Sequence, residues 1–140
     1  LFCISAVLGK RSGFIVAISY LLLGALGLDV FAGYQGGFQK LIGPTSGFLW
    51  AFPFVCFVLA YGIEKGQKTW FHFMLYFFRA HVLLLIPGFI VLYLQLPDAK
   101  LFDALIRLLP GLLIKTIFGG LLSLWLLKKI PPHWTELKAQ

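Results

Sequence analysis

The sequence predicts an all-α fold, a polytopic bundle of membrane-spanning helices. Of the 140 residues, 60% are hydrophobic and only 12% are charged, whereas a soluble domain of this size carries far more charge on its surface. Three apolar stretches also reach the roughly 17–25 residues that a spanning helix needs. These stretches are Thr45–Ile63, Phe71–Leu96 and Leu101–Leu127.

Two shorter apolar stretches precede these three. Gly13–Leu28 offers about 24 Å of helix, which suffices only where the bilayer is thin or flanking residues contribute. Leu1–Leu8 is too short to span, and no basic segment precedes it as one would in a signal peptide. We therefore expect Leu1–Leu8 to be the second half of a helix, so that residues 1–140 form a single, N-terminally incomplete membrane domain.

Basic residues concentrate in every second loop, a pattern typical of cytoplasmic loops. In these loops and in the tail they are Lys10, Arg11, Lys65, Lys68, Lys128, Lys129 and Lys138. The pattern predicts a multi-pass protein of the cell membrane with a cytoplasmic C-terminus, and it predicts that Gly27–Trp50 opens outwards. The formal charge of +7 therefore reflects the orientation of the protein in the membrane, and we expect a lipid bilayer rather than a nucleic acid as partner.

Lys115 lies inside an apolar segment, where a charge is costly and by default indicates a functional site. Pro110 and Gly111 predict a break, with the helix restarting just after them because proline suits a first turn. Lys115 then lies about one turn inside the outer end.

Small and polar residues share the helical face of Lys115, whereas large aliphatic residues occupy the other side. The small or polar set is Gly111, Thr116, Gly119, Gly120 and Ser123, and the aliphatic set is Leu113, Ile117, Leu121 and Leu124. Small residues face protein partners in membranes, and large aliphatic residues face lipid. We predict that Lys115 points into the bundle, towards a ligand; the alternative is a lysine that snorkels to the outer headgroups.

Arg79 is a second cation within a span, and it shares a helical face with His72 and Tyr76. One interpretation places Arg79 near the tail of a ligand. In the others it joins two helices or reaches a coupling partner. His72 and His81 are nine positions apart, which places them on opposite faces of a helix and predicts no shared metal ion.

Several catalytic signatures are absent from the sequence. It contains no G-x-x-x-x-G-K-[ST] phosphate loop, no H-E-x-x-H, no G-x-S-x-G and no pair of carboxylates inside a span. We therefore predict that the protein is not an enzyme and uses no cofactor. A cavity with a lysine and no competing carboxylate favours a small ligand that carries a carboxylate.

Three motifs resemble those of the BioY family, the biotin-binding S-components of energy-coupling factor (ECF) transporters. They are "YLLLGALGLDVFAGYQGG" at Tyr20–Gly37, "GPTSGF" at Gly43–Phe48 and "LPGLLIK" at Leu109–Lys115. In order and spacing they are similar to the family patterns G-L-x-V-F, G-P-T-x-G-[YF] and P-G-D-x-x-K.

The resemblance implies a six-helix S-component that captures biotin from outside the cell, with the first helix and part of the second missing from this chain. It also implies three partner subunits, one energy-coupling transmembrane subunit and two ATPases. Biotin is then the transported ligand rather than a cofactor. Lys115 matches the family's lysine near the ligand, and Gly43–Phe48 matches the turn that forms a wall of the pocket.

On this interpretation the glycine-rich stretch Gly27–Trp50 is an outward re-entrant cap, because irregular backbone at membrane depth is tolerated where it lines a cavity. Its N–H groups, with Tyr34, Gln35 and Thr45, are then available to hydrogen-bond a ureido-like ring. Aromatic side chains, Phe48 among them, hold the apolar ring system.

Leu112 stands where the family pattern has aspartate, and this departure motivates two alternatives. In the first, the protein keeps the fold but acts as a structural or assembly partner without transport. In the second, it belongs to the same transporter class but binds another small carboxylate, such as a biotin precursor.

Overall fold

The structure is a computed structural model that describes residues 1–67, 69–95 and 98–129. Within these residues, five α-helices follow one another, with one short 3₁₀ helix between the second and the third. They are α1 (Phe2–Leu8), α2 (Lys10–Ala25), the 3₁₀ helix Phe38–Leu41, α3 (Ser46–Lys65), α4 (Trp70–Gln95) and α5 (Asp98–Lys129). The predicted all-α fold is confirmed.

Among the described residues, three helical segments are long and apolar enough to cross a membrane, and each overlaps one of the three apolar stretches predicted from the sequence. They are α3, α4 and Pro110–Lys129 of α5. In the part of the chain that the structure describes, the sole β-type pairing is an isolated bridge between Phe31 and Gln35. Length and apolar composition therefore decide the architecture.

Helix α3 packs against α1, α2 and α4, while α5 packs against α4 and α1 and so closes the bundle. Close approach of α1 and α2 depends on Gly13, since a Cβ at this position would stand 2.6 Å from Cβ of Ser5. One apolar core joins α1 to α4. Its buried residues are Phe2, Ala6, Ala17, Val55, Cys56, Leu59, Ile63, Phe73, Phe77 and Ala80.

Helix α5 continues through Pro110, so the predicted break at Pro110 and Gly111 is wrong. Proline lacks one backbone N–H and its ring crowds the preceding turn, but spanning helices tolerate this loss when neighbouring groups satisfy the freed carbonyl. The uninterrupted helix has 32 residues, or about 48 Å of length. Lys115 therefore lies near its middle rather than one turn from an end.

Charged groups join α2 to α3 at one end of the bundle. The Lys10 ammonium donates to Glu64 at 2.6 Å, and the backbone N–H of Lys10 donates to the other carboxylate oxygen at 2.8 Å. Lys10 is the first residue of α2 and Lys65 is the last residue of α3. These two basic residues thus lie at the same end of the bundle, as the alternating charge pattern requires. Lys68 and Lys138 lie outside the described residues, and the cytoplasmic location of this end stays a prediction.

The glycine-rich stretch folds against the end of α2 and the start of α3. Phe31 is buried with its ring 5.4 Å from that of Tyr20, and a side chain at Gly24 would collide with the Phe31 ring. The N–H of Gly37 donates to the carbonyl of Gly24 at 2.7 Å. Gly37, with φ at 96°, adopts the left-handed backbone region that favours glycine.

Candidate functional site

A cavity of about 590 Å³ lies between the helices, and every one of the five α-helices contributes to its wall. This volume is within the usual range for small-molecule sites, about 300–1,000 Å³. Its lining residues are Leu1, Phe2, Cys3, Tyr20, Phe48, Phe52, Phe77, His81, Leu84, Leu85, Leu112, Ile114, Lys115, Phe118, Gly119 and Leu122.

The wall is mostly aliphatic and aromatic, with a few polar groups. The rings of Phe2, Phe48, Phe52 and Phe77 supply flat apolar surface, which suits a ligand with an apolar ring system. Lys115 supplies the cation that the sequence predicted. A site of this kind binds a mostly apolar ligand and orients it through its polar ends.

Lys115 lines the cavity, and the residues around it divide as the helical pattern predicts. Thr116, Gly119, Gly120 and Ser123 are buried against the bundle. On the other side of α5, residues Leu113, Ile117 and Leu121 are exposed and Leu124 is half-buried. The side chain of Lys115 is itself exposed, so the lysine lies where the cavity opens.

Phe48 also lines the cavity, and Gly88 of α4 creates the space for its ring. The ring carbons of Phe48 lie so close to Gly88 that a Cβ at this position would overlap them. The ring of Phe48 is also 6.0 Å from that of Phe89. The structure therefore brings Phe48 and Lys115 to one cavity from α3 and α5.

Four other residues that the sequence marked do not line this cavity. Tyr34 is 92% exposed at the tip of the glycine-rich stretch, and Gln35 pairs through its backbone with Phe31. Thr45 is exposed just before α3, and Arg79 is exposed on α4. Contacts of these four residues with a ligand stay predictions.

His81 is a cavity residue that the sequence reasoning missed. It is buried, and its Nδ1 lies 2.8 Å from the carbonyl oxygen of Phe77 and 3.1 Å from Oγ1 of Thr116. The sequence nevertheless contained a signal for a buried His81, because Phe73, Phe77 and His81 recur every fourth residue and share the buried face of α4.

Metal-ligating side chains do not gather at the cavity in the part of the chain that the structure describes. Among the residues that the structure describes, no group of three His, Cys, Asp or Glu side chains could hold a metal ion. The two cysteines are free, with Cys3 half-buried at the cavity wall and Cys56 buried in the core.

Together, the fold and the cavity define a polytopic helical membrane protein with an internal site sized for a small molecule. The BioY family model matches residues 1–132. The chain belongs to the BioY family.

Curated relatives show how far the similarity extends. The "Biotin transporter BioY" of Rhizobium etli is 34% identical over 131 residues, which is 84% of this chain and 68% of the relative. The "Biotin transporter BioY" of Thermotoga maritima is 46% identical over 66 residues, which is 46% of this chain but 39% of the relative. The matched region thus spans less than half of the Thermotoga maritima protein.

A solved structure shares the fold. It is described as the S-component for biotin from an ECF-type ABC transporter. The TM-score is 0.80 over 93% of this chain and 72% of that chain, at 24% sequence identity. The helix arrangement described above is therefore similar to that of the matched part of the S-component.

Proposed function

We propose that this protein is the substrate-binding membrane subunit of a biotin uptake transporter. The observation that carries the proposal is the position of Lys115, a charged residue in the wall of an apolar, ligand-sized cavity in a BioY-family chain. The relatives named as biotin transporters and the fold of the biotin S-component support it.

The cavity suits the two chemical parts of biotin. The ammonium group of Lys115 donates to the carboxylate, a charge-assisted hydrogen bond that contributes about 1.5–3 kcal/mol. The rings of Phe48, Phe52 and Phe77 pack on the bicyclic ring system, which contributes through burial of apolar surface. Affinity then comes mostly from packing, and orientation comes from the charge.

Transport requires partner subunits on this proposal. The sequence contains no phosphate loop, so the chain cannot hydrolyse ATP by the usual means. An energy-coupling transmembrane subunit and two ATPases supply that step, and this subunit captures biotin from the outer side. Its C-terminus lies in the cytoplasm, because the basic loops and tail mark the inner face of the membrane.

Isothermal titration of the purified full-length protein with biotin tests the proposal. We expect heat of binding that saturates at one ligand per chain, together with a rise in the thermal unfolding midpoint as ligand binds the folded state. Absence of both heat and thermal shift at micromolar biotin would remove biotin as the ligand. Uptake of labelled biotin in a transport-deficient host separates a transporter from a purely structural subunit, since only the transporter accumulates label.

One observation favours a second candidate, the same transporter class with another small carboxylate. Leu112 lines the cavity where the family motif has aspartate, so an apolar contact replaces a polar one. A ligand with less polar surface near this position, such as a biotin precursor, would fit that change. Competition binding distinguishes the two candidates. Unlabelled biotin and the other carboxylate each compete with labelled biotin, and the true ligand is the one that displaces the label at the lower concentration.

A further inference from the structure

His81 is a polar side chain in the middle of a membrane-spanning helix, and its surroundings are mostly apolar. It lines the cavity and is 6% exposed. The ring of Phe2 lies 5.0 Å away in an edge-on arrangement. A polar group in such a place needs hydrogen-bond partners for both ring nitrogens, because burial without them is costly.

The partners of Nδ1 assign the ring tautomer. The carbonyl oxygen of Phe77, 2.8 Å away, can only accept, so Nδ1 carries the hydrogen. The hydroxyl of Thr116 donates to the carbonyl of Leu112 at 2.9 Å. The hydroxyl oxygen of Thr116, 3.1 Å from Nδ1, is therefore available as a second acceptor, and the N–H of Nδ1 forms a bifurcated hydrogen bond. Helices α4 and α5 together fix the ring.

The other nitrogen, Nε2, is then a bare acceptor. Within residues 1–67, 69–95 and 98–129, no hydrogen bond to Nε2 is formed. In the same residues, every side-chain nitrogen or oxygen that is inaccessible to solvent has a hydrogen-bond partner. Nε2, which has none, is therefore accessible. Because His81 belongs to the cavity wall, its unpaired nitrogen has access to the cavity.

We propose that Nε2 of His81 accepts a hydrogen bond from an N–H donor of the ligand and thereby selects ligands that carry one. This inference rests on the proposed function. Lys115 is a donor only and serves the anionic end of the ligand, so the cavity needs an acceptor for N–H groups. His81 supplies that acceptor, and a ureido, amide or lactam N–H is the matching chemistry.

A site that accepts a hydrogen bond discriminates strongly against an analogue that lacks the donor, because its buried acceptor is then unpaired. The two probes are biotin and biotin with both ureido N–H groups replaced by N–CH₃. Titration of the wild-type protein should show at least a roughly tenfold preference for biotin. His81→Phe should lose most of this preference, because it keeps an aromatic ring but removes the acceptor.

Two further variants control the comparison. His81→Gln places an amide oxygen near the position of Nε2 and should retain part of the preference. His72→Phe removes a histidine that does not line the cavity and instead contacts Thr69 at 2.6 Å, and its preference should equal that of the wild type. If the wild type binds biotin and His81→Phe keeps the full preference, the inference is overturned while the proposed function stands.

The wild-type protein supplies a second measurement that needs no variant at the site. The chain has three histidines, and ¹⁵N labelling resolves their ring nitrogens. Addition of biotin should move the Nε2 resonance of His81 and leave its Nδ1 resonance nearly unchanged. An unmoved Nε2 resonance in the saturated protein would contradict the inference, and a wild type that shows no binding at all would overturn the proposed function and the inference together.

Discussion

Lys115 and His81 give the cavity two polar groups of opposite hydrogen-bonding character. Lys115 donates from α5, and His81 is held by Phe77 and Thr116 so that its acceptor nitrogen remains unpaired. Among the cavity-lining residues that the structure describes, Lys115 carries the formal charge. On the proposed function, this one side chain selects the charge at the anionic end of the ligand.

Replacement of Lys115 by alanine should weaken biotin binding roughly ten- to a hundredfold, because a charge-assisted hydrogen bond contributes about 1.5–3 kcal/mol. Folding should be nearly unaffected, since removal of an intramembrane cation relieves a cost. Lys115→Met keeps most of the volume and should lose similar affinity. Titration and thermal unfolding measure both quantities, and normal binding by the alanine variant would identify Lys115 as a snorkelling lysine.

Gly88→Ala tests the wall that Phe48 forms. A methyl group at Gly88 would overlap the ring of Phe48, so the ring must move, and such overpacking costs about 1–3 kcal/mol. We expect a lower unfolding midpoint and weaker biotin binding.

Gly111→Ala is the matched control, because no atom of the residues that the structure describes lies within 4 Å of the added methyl group. Alanine also favours a helix over glycine by about 1 kcal/mol. Its stability should be equal or higher. Equal effects of Gly88→Ala and Gly111→Ala would contradict this account of the cavity wall.

At the scale of the elements, the sequence was sufficient where length and apolar content decide the outcome. Helices α3 and α4 begin and end within a few residues of the predicted stretches. It was insufficient at Pro110, because local propensity favours a break there while the membrane penalises an interrupted backbone. It also could not show that Phe31 draws the glycine-rich stretch onto Tyr20 and Gly24.

Pro110→Ala tests the continuity of α5. In an uninterrupted helix the new N–H donates to the carbonyl of Ile106, so the variant should be more stable by up to about 3 kcal/mol. Biotin affinity should change less than about twofold, since Lys115 keeps its place on the same helix. A lower unfolding midpoint would indicate that Pro110 begins a helix instead of lying inside one.

At the scale of the whole molecule, the ion pair between α2 and α3 and the cavity occupy different parts of the bundle. The ion pair of Lys10 with Glu64 joins the start of α2 to the end of α3. This is the end of the bundle where the basic residues lie. The cavity lies further along these helices, where Tyr20 near the end of α2 and Phe48 near the start of α3 both line its wall. The alternation of charge along the sequence could predict which helix ends carry the basic residues. The shape of the cavity could not be predicted, because it depends on side chains from five helices meeting at once.

The most direct test of the central claim, that this cavity holds a carboxylate ligand through Lys115, is a paired titration of biotin and biotin methyl ester. The wild-type protein and Lys115→Met are each titrated with both compounds. We predict that the substitution weakens binding of the free acid roughly ten- to a hundredfold and leaves the affinity for the ester nearly unchanged. Equal binding of the free acid by both proteins, or an equal loss for acid and ester, would contradict the claim.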